Sequence, residues 1–155
     1  MLPCSMQTLF DDTARANIVA RLGALRPDSP RGWGKMDPAQ ALAHCAAALE
    51  AATGDRPARH KFIGRILGPF FRASLLGPKP FGRDAPTDPS LVVADPRDFA
   101  RERTRLVALI GRFADAGPGA ASGRVHAFLG PLSGDEWGRI MHKHLDHHLT
   151  QFGVT

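Results

Sequence analysis

The sequence predicts an all-α fold, a four-helix bundle with a long crossover between its second and third main helices. Three observations carry that expectation. Four segments place apolar residues at helical spacing behind recognisable N-terminal signals, a proline-dense stretch separates the second from the third, and no stretch alternates apolar and polar residues as a half-buried strand must.

The first helix lies in TARANIVARLGAL. It opens behind Asp11 and Asp12, spaces Ile18, Leu22 and Leu25 on one side, and stops before Pro27. The second, DPAQALAHCAAALEAATG, has Asp37 as N-cap, Pro38 at the first helical position and Gln40 completing a capping box, and Gly54 ends it. Its alanines favour helix and leave room for close approach by a neighbour. Residues 60–76, HKFIGRILGPFFRASLL, interleave basic and large apolar residues but contain Gly64, Gly68 and Pro69, so a short or broken amphipathic helix is expected. Around Phe62, Arg65, Phe70, Phe71 and Arg72 this segment reads as a lid or dimer-packing element in preference to a membrane-surface helix. The stretch GPKPFGRDAPTDPSLVVADP carries Pro78, Pro80, Pro86, Pro89 and Pro96, too many for a long helix, and makes the crossover. The third helix, in DPRDFARERTRLVALIGRFADAG, gathers Phe99, Leu106, Leu109, Ile110 and Phe113 on one side and ends at Gly117. The fourth opens with a Ser133/Glu136 capping box and closes at Gly153.

At 155 residues, 43% hydrophobic and 23% charged, the chain suits one globular domain over residues 1–155 and is too apolar for wholesale disorder. Cys4 and Cys45 form no metal-ribbon or redox spacing, which suits a reducing compartment. The opening residues lack a basic region followed by an apolar run, so a cytoplasmic location is expected, with no membrane partner. Lys and Arg number 20 against 15 Asp and Glu, a net charge of +5 that reads as spread along the chain. Without Tyr and without a recognisable motif, nothing forms a base-stacking platform, so no nucleic-acid partner is expected.

HKHLDHHLTQF, residues 142–152, holds four histidines, and their direction on the fourth helix separates them. At about 100° per residue, Trp137, Met141, Leu145, Leu149 and Phe152 form one face, with Arg139, Lys143, Asp146 and Thr150 opposite. His148 falls among the apolar group and His144 at its inner margin. His147 sits at the boundary, and His142 falls on the polar side beside Asp146. The i, i+4 spacing of His144 and His148 stacks two imidazoles one turn apart, able to share a cation. A third ligand must come from elsewhere, and His44, in the capped second helix beside Leu42, Ala48 and Leu49, is the histidine best placed to face the interior. Taken alone, a helical histidine is more often a core residue hydrogen-bonded to a neighbour.

At these residues the chain resembles the DinB/YfiT-like superfamily of metalloenzymes, four-helix bundles with a metal on one second-helix histidine and a His-x-x-x-His pair of the last helix. WGKMDPAQALAHCAAALE and FLGPLSGDEWGRIMHKHLDHHLTQFG resemble a branch described only as a domain of unknown function. The resemblance covers most of the chain and implies His44, His144 and His148 as ligands of a divalent ion such as zinc or nickel, with Gln151 completing an H-x-x-x-H-x-x-Q extension. It further implies homodimers and, in characterised relatives, transfer or isomerisation reactions using low-molecular-weight thiols as co-substrates. GRVHAFLGPLS resembles an H-P-x-F-G loop of that branch, with Ala127 where proline is common.

Two functional classes remain open. One is a metal-dependent enzyme acting on a small-molecule substrate by thiol-dependent transfer or hydrolysis; the other is a non-catalytic bundle whose metal or ligand site is structural or sensory. No catalytic acid or base is assigned. Asp146 faces outward, Glu50 lies off the His44 side of its helix, and His126, His147 and Gln151 carry no assigned role. Cys45 reads as a buried small residue, because adjacent helical positions diverge by about 100°. Trp33 with Lys35 precedes the second helix, a position that can shape a pocket mouth, although a tryptophan there is more often a packing anchor.

Overall fold

The computed structural model describes residues 7–83, 85 and 87–155. Cys4 and Pro86, both named above, lie outside these residues. The described chain is all-α apart from one very short hairpin, in the order α1 (Asp12–Ala24), α2 (Pro38–Thr53), α3 (Phe62–Leu76), a 3-10 turn (Pro89–Leu91), α4 (Phe99–Ala121), β1 (Val125–His126), β2 (Gly130–Pro131) and α5 (Gly134–Gln151).

Local chemistry sets the helix starts. The Asp11 carboxylate accepts from the Ala14 amide and Asp98 from Arg101, while Asp37 with Gln40 and Ser133 with Glu136 form complete capping boxes. Gly54 ends α2 in the left-handed region, φ +85, where a side chain would be strained. Gly117 (φ +77, ψ 171) breaks α4 where the sequence places its end, and a further turn follows to Ala121.

Packing follows from side-chain size. Almost the whole of α2 from Pro38 to Leu49 is buried, and its small alanines let α4 approach closely with Leu106, Leu109, Ile110 and Phe113. α5 touches α1, α2, α3 and α4. Its Trp137, Ile140, Met141, Leu145 and Leu149 are nearly inaccessible, and the Trp137 indole donates to the Arg124 carbonyl at 3.1 Å. No described helix is long and apolar enough to cross a membrane.

Three sequence expectations change. First, residues 62–76 form a continuous helix despite Pro69. The bond lost at Pro69 is the one to the Arg65 carbonyl, and both residues are exposed, so water solvates the freed acceptor. Second, a two-residue antiparallel ladder pairs Val125 with Pro131 and His126 with Gly130, a feature too short for any alternation to announce. Third, His142 and Lys143, expected on the solvent face of the last helix, are buried, at 1% and 7% exposure. A wheel assumes one buried face, whereas α5 has neighbours on several sides. Lys143 Nζ donates to the carbonyls of Ser74, Leu75 and Gly77 at 2.8–3.3 Å, closing the C-terminal end of α3. Asp146 pairs with Arg21 of α1 at 2.7 Å.

Candidate metal centre

Helix α2 delivers His44 and α5 delivers His144 and His148, and their ring nitrogens lie within 4.8 Å of one another. His144 Nε2 stands 3.0 Å from His44 Nε2 and 3.2 Å from His148 Nε2. Two nitrogens bound to one ion at about 2.05 Å in tetrahedral geometry are about 3.3 Å apart. These two separations match a shared cation, and the third pair, His44 with His148, lies within 4.8 Å. His44 is buried, while His144 and His148 keep part of their surface accessible.

Hydrogen bonds on the far side of the rings fix which nitrogen faces inward. The Leu91 carbonyl, an obligate acceptor, lies 2.8 Å from His44 Nδ1, so that nitrogen carries the proton and Nε2 keeps its lone pair. For His148 the logic takes two steps. Gln151 donates through Nε2 to the Trp33 carbonyl at 2.7 Å, which turns its Oε1 toward His148 Nδ1 at 2.8 Å. That oxygen only accepts, so His148 Nδ1 is protonated and its Nε2 also points a lone pair at the cluster. Such outer partners are how metal-bound imidazoles are oriented.

Electrostatics act in the same direction. Burial lowers the pKa of His44. Burial, together with His148 and His44 close by, holds His144 well below the ordinary imidazole range. His148 is lowered to about 3 by burial and the neighbouring His44. All three are thus neutral near pH 7, the state in which imidazole ligates.

The surroundings are aromatic on one side and closed on the other. Phe81, from the segment after α3, packs against His144 and His147 with centroids 6.4 and 5.7 Å away. Trp33 lies 5.3 Å from His147 and carries the Arg83 guanidinium 4.5 Å above its ring. Behind His148, Leu22, Leu42, Cys45 and Leu106 line an apolar void of about 10 Å³, hardly room for one water.

A family model described as a protein of unknown function, DUF1569, matches residues 5–155. The chain belongs to DUF1569. No curated protein and no solved structure matches it. In this DUF1569 protein the three histidines selected from the sequence come together, and the other candidates fall elsewhere. His126 lies in the hairpin, its Nδ1 accepting from the Phe128 amide at 3.2 Å, with its pKa lowered to about 4 by burial. His147 borders the cluster between Trp33 and Phe81. Cys45 is fully buried, which pushes its thiol up and leaves it inert. Glu50 is engaged by Arg105 and by Arg56 at 3.3 Å. Sequence reasoning missed two outer partners. The Leu91 carbonyl carried no signal, whereas Gln151 was visible as the third residue after His148 without any hint that Trp33 would fix its amide.

Proposed function

We propose that this chain is a metal-dependent enzyme whose divalent ion, zinc or nickel, sits on His44, His144 and His148 and which acts on a small molecule by thiol-dependent transfer or hydrolysis. The observation that carries the reading is the convergence of three Nε2 atoms, two of which keep lone pairs because their Nδ1–H groups donate to Leu91 and Gln151. Bound there, such an ion supplies a lowered pKa to a water or thiol, or polarises a substrate oxygen. Three imidazole ligands leave coordination positions for a substrate, as catalytic sites require. The chain's own side chains bind and orient: the tilted rings of Trp33, Phe81 and His147 border the cluster, and the half-buried His144 and His148 set the approach. The same reading places the chain in the DinB/YfiT-like superfamily, as one domain with the crossover bundle, a homodimer of the cytoplasm.

The test is elemental analysis of protein purified without a histidine tag. The expected result is about one divalent ion per chain, largely lost in His148→Ala, since two remaining imidazoles hold an ion far more weakly. Equal metal content in both proteins overturns the assignment. Turnover of an electrophile with a low-molecular-weight thiol, present with metal and absent after chelation, then separates the enzyme from a structural or sensory site.

A further inference from the structure

Among the described residues six large hydrophobic side chains are exposed, and five of them stand on α3: Phe62 (76%), Ile63 (51%), Ile66 (61%), Leu67 (42%) and Phe70 (84%). At about 100° per residue they span some 140° of one face. The opposite face is docked. Gly64 packs on the Phe128 backbone so closely that a Cβ would lie 2.6 Å from its carbonyl oxygen, Phe71 lies against Phe128 at 5.1 Å, and Lys143 holds the C-terminal carbonyls. The apolar face is therefore turned outward by an anchored helix.

The charge around it is one-sided. From Arg56 to Arg83 there are seven Lys and Arg and no Asp or Glu, so the rest of the chain carries 13 basic against 15 acidic residues. This stretch holds the whole basic excess, which corrects the reading of that charge as evenly spread. A second copy seated on the same face would bring identical residues together across a two-fold axis, setting Arg59 and Arg65, which no described acid pairs, against cations, whereas Lys61, Arg56 and Arg72 are met by Asp88, Glu50 and Glu136. A surface of anionic headgroups over an apolar layer answers both features, because large apolar side chains sink to the acyl boundary while flanking cations meet phosphate.

We propose that α3 is a peripheral anchor that lies flat in the interface of a membrane containing anionic lipid. Its 15 residues extend about 22 Å at 1.5 Å per residue, short of a bilayer core of about 30 Å, so it lies on the membrane and does not span it. This departs from the expectation of no membrane partner, which weighed the segment without knowing that its apolar face stays uncovered. It is independent of the metal reading.

The test is sedimentation of the full chain with vesicles of phosphatidylcholine alone or with about one-third phosphatidylglycerol. Expected are binding at least tenfold stronger to the anionic vesicles, its loss in about 0.5 M NaCl, and a drop of roughly fivefold for each of Arg59→Gln and Arg65→Gln. Phe62→Ser/Phe70→Ser, at sites too exposed to touch the core, should weaken binding at least tenfold while circular dichroism and Tm stay those of the wild type. Sedimentation equilibrium without lipid should give the double variant and the wild type the same mass. No binding, equal binding to neutral and anionic vesicles, or a lipid-free dimer that Phe62→Ser/Phe70→Ser dissociates overturns the proposal, the last by identifying a second copy as the true occupant.

Discussion

Replacing Gln151 by leucine removes two polar atoms from a site 3% exposed and leaves two partners behind. The Trp33 carbonyl loses its donor and His148 Nδ1–H loses its acceptor. An orphaned buried polar group costs about 1–3 kcal/mol, and access to water at the rim reduces that, so a stability loss of about 2 kcal/mol is expected. The second effect is on the metal. Without Oε1, His148 is free to rotate or to move its proton to Nε2, and loss of an outer partner of this kind typically lowers metal affinity about 10- to 100-fold. Competition against a chromophoric chelator measures the affinity, and urea unfolding of the metal-free protein measures the stability. Gln151→Glu separates the two, since a carboxylate still accepts from His148 Nδ1 but repels the Trp33 carbonyl; affinity should survive while stability falls. A leucine variant with wild-type affinity would refute the reasoning, showing that packing alone orients His148.

Acid should destabilise the metal-free protein through the same rings. His148 titrates near 3 when folded and near 6.5 unfolded, so its contribution is complete above pH 6.5 and is lost as pH falls toward 3. Between pH 6.5 and 5 that loss is about 2 kcal/mol, and His44 and His144, also lowered, add to it; a urea midpoint flat over this interval contradicts the assignment. His142 is 1% exposed and neither ring nitrogen has a hydrogen-bond partner among the described residues, so His142→Leu should raise stability by about 1 kcal/mol, whereas a loss of that size would point to a partner it serves. At Gly134 a Cβ would fall on the Pro118 carbonyl, so Gly134→Ala should cost about 3 kcal/mol, the upper end for overpacking, read as a lower Tm; an unchanged Tm would mean that the turn before α5 yields freely.

Helix starts were legible because capping is local chemistry: Asp37 with Gln40, and Ser133 with Glu136, state the boundary within four residues. His44, His144 and His148 were legible for a different reason, since each lies on a helix whose strongest apolar direction is also the direction of the shared interior. His142 and Lys143 were misplaced because the polar flank of α5 is covered by α1 and α3, contacts that no wheel of α5 contains. The continuity of α3 through Pro69 was hidden for a similar reason, as it depends on solvation of the Arg65 carbonyl and on anchoring by Phe128 and Lys143. The Leu91 acceptor belongs to the 3-10 turn between α3 and α4, where backbone groups of any residue type serve equally well and composition says nothing.

Lys143 immediately precedes His144, and its ammonium grips the last carbonyls of α3. A pull on that outer helix is thereby delivered to the backbone one peptide away from an imidazole of the cluster, and the same ammonium also rests 4.6 Å from the Phe81 ring that roofs it. Whatever settles on the exterior helix thus lies a single side chain away from the three clustered rings.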